Sequence, residues 1–239
     1  MLHELLISLR GHSGYIFVDN NDKICVNPTL TFLHPCEVSI VNNKQIELKY
    51  SVSNKARINI FRHLSICFLF PKVAILNDLL ELGTNYRKIK NFITNNVAGS
   101  ISVSEGEHDS CRGMYLESVC QGIDIVLDSY RDTLAMLEKE MLYEGDTYPL
   151  SLVQHKLSPH RHVLRYLVKL VTQLTRDQPR GVMILDTVYR ATSCGVSDVA
   201  AALRRGLSEG HKVLYKQLLA WLLQGALYDP YQVGNHQFR

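Results

Sequence analysis

Three histidines and two cysteines are the side chains in this sequence whose types best fit a metal site. His155, His160 and His162 lie close together, and Cys111 or Cys194 could complete a zinc site. The spacing argues against this, because Pro159 separates the first two histidines and the last two point to different sides of a helix. Helical zinc sites typically use histidines four residues apart. We therefore predict no metal site, and we expect exposed histidines in the first turn of a helix.

The motifs of common catalytic and phosphate-binding sites are missing from the sequence. It has no GxSxG elbow, no GxxxxGK[ST] loop and no GxGxxG turn. Glu138 and Glu140 fall on a predicted surface helix, where no burial would raise the pKa of either carboxylate. Gly206 and Gly210 are interpreted as helix-end or hinge glycines. The sequence thus predicts a protein that is not an enzyme, with no catalytic residue and no cofactor.

Composition and charge indicate an ordinary globular protein of a reducing compartment. The 239 residues are 46% hydrophobic, and the six cysteines are scattered without a CxxC pair, so we expect small buried thiols. No apolar run is long enough to span a bilayer, and the first ten residues do not resemble a signal peptide. The net charge is +3, and six basic residues against one acidic residue give residues 38–72 a net +5. The remainder is therefore at −2, so we predict a cytosolic protein that binds neither nucleic acid nor a membrane.

Hydrophobic periodicity predicts an all-α fold, an elongated bundle of antiparallel amphipathic helices. The longest helix carries apolar residues at unbroken three- and four-residue steps, and Gly83, the Ser158-Pro159 pair and Ser197 mark other helix boundaries. That longest stripe consists of Leu116, Val119, Ile123, Val126, Tyr130, Leu134, Leu137 and Met141. Helices are predicted near residues 2–9, 73–82, 85–94, 113–143, 149–157, 158–175, 182–191, 197–207 and from 208 onward. Asn20, Asn21 and Asp22 are expected in a turn within an irregular stretch.

The helix predicted from residue 208 onward is strongly amphipathic and carries the single tryptophan. Its apolar residues recur at helical spacing, so we expect this face to pack against other helices. They are Val213, Leu214, Leu218, Trp221, Leu222 and Ala226.

Several separated blocks in a fixed order resemble the N-terminal part of the gamma-tubulin complex components. They are MLHELL at the start, FLHP from Phe32, GMYLESVCQGIDIVLDSYR from Gly113, ILDTVYRATSCG from Ile184 and VLYKQLLAWLLQGAL from Val213. In that family an N-terminal helical domain packs side by side with neighbouring components, and a C-terminal domain holds gamma-tubulin. The assembled ring templates microtubule nucleation at centrosomes and spindle poles.

The resemblance implies a scaffold subunit at the microtubule organizing center, in the cytoplasm and cytoskeleton, and residues 1–232 correspond to the N-terminal helical domain. Its implied partners are other gamma-tubulin complex components, through lateral contacts whose residues the sequence leaves unknown. Gamma-tubulin is a partner of the full-length family, and we expect this chain not to bind it directly. The alternative is a generic helical adaptor without a microtubule role.

Residues 38–72 and 233–239 depart from the family pattern. Joining FLHPCE to VAILNDLLELG restores the family spacing, so the first segment is an insertion that we expect to be irregular and peripheral. It is either a retained intron, since Val38-Ser39 and Lys72 can be encoded by splice signals, or a genuine basic loop. The family would continue into further helices after Gln232, so we interpret residues 233–239 as a divergent tail. We expect the face of the last helix to be less covered here than in a full-length protein.

Overall fold

The computed structural model describes residues 2–26, 55–97, 113–144 and 148–225, with side chains described from residue 75 in the second range and to residue 143 in the third. These residues form six helices and one two-stranded sheet. The elements in chain order are α1 (Leu2–Leu9), β1 (Phe17–Asn20), β2 (Lys23–Val26), α2 (Lys55–Val97), α3 (Met114–Glu144), α4 (Leu150–Asp177), α5 (Met183–Thr192) and α6 (Ser197–Gln224). The predicted all-α class is confirmed, and the hairpin is a small addition to it.

The chain divides into two compact units. The first comprises Met1–Tyr86 and Leu134–Leu157, and the second comprises Arg87–Thr133 and Ser158–Arg239. Each contains its own set of buried apolar side chains, among the described residues. Representative buried residues are Leu5, Leu9, Phe17, Leu79 and Leu137 in the first unit, and Ile89, Val119, Ile123, Leu167 and Leu203 in the second.

The first unit contains a β-hairpin where the sequence predicts an irregular stretch. Strand β1 pairs antiparallel with β2, with Asn20 opposite Lys23 across a two-residue turn. Asn21 and Asp22 both have positive φ, 49° and 61°, which is the backbone of a type I′ turn and suits Asn and Asp. The expected turn is therefore confirmed, and it joins two strands because its twist matches that of an antiparallel ribbon.

The hairpin is fastened to α2 by a buried hydroxyl group. The Ile24 N–H donates a hydrogen bond of 3.1 Å to Thr84 Oγ1. That hydroxyl in turn donates to the Leu80 carbonyl at 2.9 Å, so both polar functions of the buried threonine are satisfied. Ile24 and Phe17 are themselves buried, which gives this short ribbon an apolar anchor beside α2.

Helix α2 corrects two predictions about residues 38–97. The expected irregular segment is helical from Lys55, and the predicted break at Gly83 does not exist, because one helix runs from Lys55 to Val97. Extending a formed helix costs far less than nucleating a new one, so residues 55–72 continue the strongly periodic stretch that follows them. Residues 38–54 lie outside the described residues.

Gly83 is inside α2 because the backbone of α1 occupies the space where its side chain would be. A Cβ built on Gly83 would lie 2.9 Å from the Ser8 carbonyl carbon and 3.2 Å from the Leu9 Cα. Only glycine admits such a contact without displacing one of the helices. Gly83 was interpreted as a break because glycine lowers helix propensity, but the approach of α1 determines this position.

Helix α4 merges two predicted helices in the same way. Pro159 lies inside the single helix Leu150–Asp177, rather than in the first turn of a new one. Proline removes one helical hydrogen bond, at a cost of about 3 kcal/mol. Buried Leu157 and Leu164 on either side of it, with Val153 and Leu167 beyond, provide apolar burial that offsets this cost. Helices α1, α3 and α5 begin and end within two residues of their predicted limits.

Helix α6 likewise joins the predicted helix at 197–207 to the helix from 208. It runs unbroken from Ser197 to Gln224, and its N-cap is Val196 without a side-chain cap, so the predicted role of Ser197 as the cap is wrong. The Ser197 hydroxyl donates instead to the adjacent Asp198 carboxylate at 3.2 Å. The helix ends at Gly225, whose left-handed φ of 66° closes it with a hydrogen bond to the Trp221 carbonyl.

Substituting Gly83 by alanine tests whether the contact between α1 and α2 controls the stability of the first unit. We expect Gly83→Ala to lower the free energy of unfolding by about 2 kcal/mol, because the new methyl group overlaps backbone atoms that cannot rotate away. The matched control is Gly195→Ala, where a Cβ meets nothing within 4 Å, and its effect should stay within about 0.5 kcal/mol. Urea unfolding followed by circular dichroism measures both. Equal effects of the two substitutions would contradict the role assigned to Gly83.

Candidate interaction surface

The second unit contains a backbone-to-backbone contact between α3 and α6 at two buried glycines. A Cβ built on Gly122 would lie 2.8 Å from the Gly206 Cα, with the Gly206 carbonyl oxygen closer still. A Cβ built on Gly206 would be 3.6 Å from its nearest neighbour, an ordinary contact. Gly122 is therefore the position that requires glycine. A glycine beside the buried stripe of a long helix is the sequence signal for such a contact.

Helix α5 completes this arrangement one turn further along α6. It packs along α6, and a Cβ built on Gly210 would overlap the Leu185 side chain and lie 3.4 Å from Val119 Cγ2. Gly206 and Gly210, predicted to be hinges or helix ends, are buried interior positions of one continuous helix. The small size of Gly210 allows Leu185 of α5 and Val119 of α3 to approach α6 closely, whereas a Cβ on Gly206 would make only ordinary contacts.

Beyond Gly210, one side of α6 still contacts α3. Tyr115 donates a hydrogen bond of 2.5 Å from its hydroxyl to Gln217 Oε1, and Gln217 Nε2 lies 4.0 Å from Met114 Sδ. Tyr115 is buried. The first turn of α3 thus contacts α6 at Gln217.

The other side of the same segment is an exposed apolar face, which we name the outer α6 face and define as Tyr215, Leu218, Leu219 and Leu222. These four side chains are between 46% and 65% exposed. Their spacing places them on one side of the helix, with Leu223, 74% exposed, beside them. Trp221, 54% exposed, is four residues after Gln217 and lies on the same side of the helix as Gln217. The prediction that Leu218, Trp221 and Leu222 pack against other helices is wrong for the described residues, whereas Val213 and Leu214 are half-buried and Ala226 lies outside them.

The three histidines do not converge on a metal site. His155 and His162 are exposed, and all three lie in the interior of α4, because that helix begins at Leu150 and not at Ser158. His160 is half-buried and packs edge-on against the Tyr130 ring, with centroids 5.6 Å apart. Its Nε2 lies 3.0 Å from Thr133 Oγ1. Within the described ranges no cluster of His, Cys, Asp and Glu could hold a metal ion, and Cys111 lies outside them.

Burial changes the acid–base behaviour of two groups in the second unit. It lowers the pKa of His160, because the imidazolium form loses hydration inside the protein. Burial, assisted by the charge of Glu117, raises the pKa of the Cys120 thiol to about 12. Cys120 is the buried thiol that the sequence analysis expected, whereas Cys25 and Cys194 are only half-buried. The side chains of Cys36, Cys67 and Cys111 lie outside the described residues.

Charged residues link α2 to α3 in the second unit. Asp124 accepts hydrogen bonds from Lys90 Nζ at 3.2 Å and from Arg131 Nη1 at 3.0 Å, and Arg131 also contacts Asp128 at 2.5 Å. Partial burial alone would raise the pKa of Asp124, but the hydrogen bonds from Arg131 and Lys90 outweigh it and lower that pKa. These side chains are about one-third or more exposed, so the pairs orient the helices and add little stability.

Glu138 and Glu140 also serve as ion-pair partners in the first unit. Glu138 pairs with Arg10 at 2.6 Å, and Glu140 pairs with Lys156 and accepts a hydrogen bond of 2.7 Å from the Tyr148 hydroxyl. The hydrogen bonds from Lys156 and Tyr148 lower the pKa of Glu140. A general acid would need the opposite shift, a raised pKa.

Among the described helices, none combines the length and apolar composition needed to cross a membrane.

Comparison with known proteins identifies relatives of the whole chain. The family model described as "Gamma tubulin complex component N-terminal" matches residues 2–236. The chain is 31% identical over 240 residues to gamma-tubulin complex component 4 of Homo sapiens. The matched region covers 97% of this chain and 30% of the human protein. The chain is 26% identical over 246 residues to gamma-tubulin complex component 4 of Arabidopsis thaliana, covering 97% of this chain and 31% of the relative. The chain thus spans less than a third of the length of these relatives.

The asymmetry of the glycine contact gives a paired stability test. We expect Gly122→Ala to lower the free energy of unfolding by about 2 kcal/mol, because its methyl group overlaps the α6 backbone. Gly206→Ala is the matched control across the same contact. It should leave the free energy of unfolding unchanged or raise it by up to about 1 kcal/mol, because alanine favours the helix and fits there. Urea unfolding measures both. A larger loss for Gly206→Ala than for Gly122→Ala would contradict the geometry.

The environment of His160 predicts a specific pH dependence of stability. Because the pKa of His160 is lowered in the folded protein, the unfolded chain binds its proton more readily. The stabilisation is therefore fully present above about pH 6.5, the ordinary histidine pKa, and is lost as the pH falls through the lower folded value. His160→Gln, which can still bond to Thr133, should flatten the free energy of unfolding between pH 7 and pH 5. The exposed control His162→Gln should keep the wild-type slope, and an unchanged slope in His160→Gln would refute the prediction.

Proposed function

Because the chain belongs to the gamma-tubulin complex component family and matches its N-terminal domain over residues 2–236, we propose that it is a scaffold subunit of a gamma-tubulin complex. In this proposal the described helices pack laterally against neighbouring gamma-tubulin complex components, so that the assembly can template microtubule nucleation. The observation that carries the proposal is the family match over nearly the whole chain, supported by 31% identity to a human relative.

The chemistry of the described residues is consistent with a structural role. Charged side chains are paired at the surface of the helices, and Asp124 and Glu140 have lowered rather than raised pKa values. Long helices held by close glycine contacts suit a role in which shape and rigidity matter. We therefore propose that the protein is not an enzyme and needs no cofactor. A generic helical adaptor is the less favoured alternative, because the family match is specific to one assembly.

The proposal extends to place and to domain limits. We propose that the protein resides in the cytoplasm and cytoskeleton at the microtubule organizing center, including centrosomes and spindle poles. Residues 1–232 would form the N-terminal helical domain, with residues 38–72 inserted into it and residues 233–239 as a divergent tail. Residues 55–72 would in that case extend α2 beyond the family core.

A binding experiment with purified proteins tests the proposed contacts. We expect residues 1–239 to co-elute in size-exclusion chromatography with the N-terminal domain of another gamma-tubulin complex component, because lateral packing joins these domains. Gamma-tubulin in the same assay should elute separately, since the matched residues are the N-terminal domain. Stoichiometric binding of gamma-tubulin without binding of any component would overturn the proposal. A tagged chain that never concentrates at spindle poles would overturn the proposed location.

A further inference from the structure

We propose that an exposed basic stripe on α4 binds an acidic helical segment of another protein. The stripe, which we name the basic α4 stripe, consists of His162, Arg165, Lys169, Thr172 and Arg176, all in the second unit. The inference goes beyond the proposed function and does not depend on it. It rests on the charge of α4, on the regular spacing of these side chains and on the chemistry that can pair with them.

The first step is the charge of α4. From Leu150 to Arg176 this helix has five lysine and arginine residues and three histidines but no aspartate or glutamate, and Asp177 is its single acidic residue. In α3, α5 and α6, by contrast, basic side chains pair with acidic side chains three or four positions away on the same helix. For most of α4 the carboxylates that neutralise its basic residues must therefore come from outside the helix.

The second step is the arrangement of the stripe along α4. Its residues follow one another at steps of three, four, three and four, so they lie on one side of the helix over about 21 Å. Arg165 is half-buried and the others are exposed. Lys169 Nζ lies 4.9 Å from the centroid of the Tyr166 ring, which orients the ammonium group without neutralising its charge. Arg176 pairs with Asp177 at 2.8 Å, so the positive charge is concentrated at Arg165 and Lys169.

The third step is the chemistry of the partner. The same face of a second copy would place like charges opposite each other, and an apolar partner would bury these charges unpaired. The stripe contains no apolar side chain to enter a bilayer, which an amphipathic membrane helix needs. It has only three lysine and arginine residues, fewer than the phosphate contacts of a typical nucleic-acid site. Carboxylates repeated along a second helix match both the charge and the spacing, and the histidine and threonine can donate hydrogen bonds to them.

Fluorescence anisotropy of the full chain with a labelled peptide tests the proposal. The peptide is an alanine-rich helix that carries glutamates at alternating three- and four-residue steps, and a control peptide of the same composition has its glutamates distributed around the helix. We expect a dissociation constant on the order of 100 µM for the first peptide at low salt. The control peptide should bind at least about five-fold more weakly, and added salt should weaken both because it screens exposed charges.

Charge reversal within the stripe locates the binding. Lys169→Glu should weaken binding of the glutamate peptide about ten-fold, because it places a carboxylate opposite those of the peptide. The matched control is Lys139→Glu, which makes the same change of charge at an exposed residue of α3 and should alter binding by less than about two-fold. His162→Glu provides a second variant within the stripe, and circular dichroism confirms that each variant is folded.

Absence of binding to the glutamate peptide would overturn the proposal. So would an equal loss in Lys139→Glu and Lys169→Glu, which would mean a general effect of net charge. Tighter binding through Lys169 to phosphatidylserine vesicles or to a DNA duplex would assign the stripe to a different class of partner. Peptide binding that occurs only after Glu105, Glu107 and Asp109 are replaced by their amides would mean that the chain's own acidic residues occupy the stripe.

Discussion

The close approach of helix backbones is the constraint on which this structure depends. In the first unit α1 contacts α2 at Gly83, and in the second unit α3 contacts α6 at Gly122. At both places the partner's backbone lies where a side chain would otherwise be, so the helix axes are closer than leucine-lined packing allows. The larger apolar side chains, such as Val119 and Ile123 beside Gly122, are buried around these contacts. Glycine thus determines the helix separation, and the aliphatic residues fill the space that remains.

Surface charges play a different part from that of the glycine contacts. The pairs Arg10–Glu138 and Lys90–Asp124 join helices that are distant in sequence, but their side chains remain substantially exposed to solvent. Each exposed ion pair contributes about 1 kcal/mol or less to the free energy of unfolding, which is less than the burial of one leucine side chain contributes. They favour contact between particular helix faces, whereas burial of apolar side chains provides most of the stability. In agreement with this structural role, the ion-paired carboxylates Asp124 and Glu140 have lowered pKa values.

Periodicity was sufficient to predict the limits of α1, α3 and α5, because these helices repeat apolar residues at helical spacing without a competing signal. Periodicity was not sufficient at residues that lower helix propensity and are also needed inside a helix for tertiary packing. Gly83 and Gly210 weaken a helix locally, yet each lies inside one, because a tertiary contact needs the missing side chain. Pro159 is a further case, in which apolar burial along α4 outweighs the lost hydrogen bond. Periodicity likewise could not predict that the outer α6 face is exposed, because an apolar stripe that faces a partner and one that faces the core have the same sequence pattern.

The buried thiol of Cys120 gives the second unit an internal reporter of its own motions. Burial raises the pKa of this thiol to about 12, so little thiolate forms at neutral pH and we expect the folded protein to resist alkylation and oxidation at this position. Reaction there requires the buried side of α3 to open to solvent, and its rate measures the population of opened molecules when closing is fast. The same residue that contributes a small apolar side chain to the core thus makes transient unfolding of that core chemically observable.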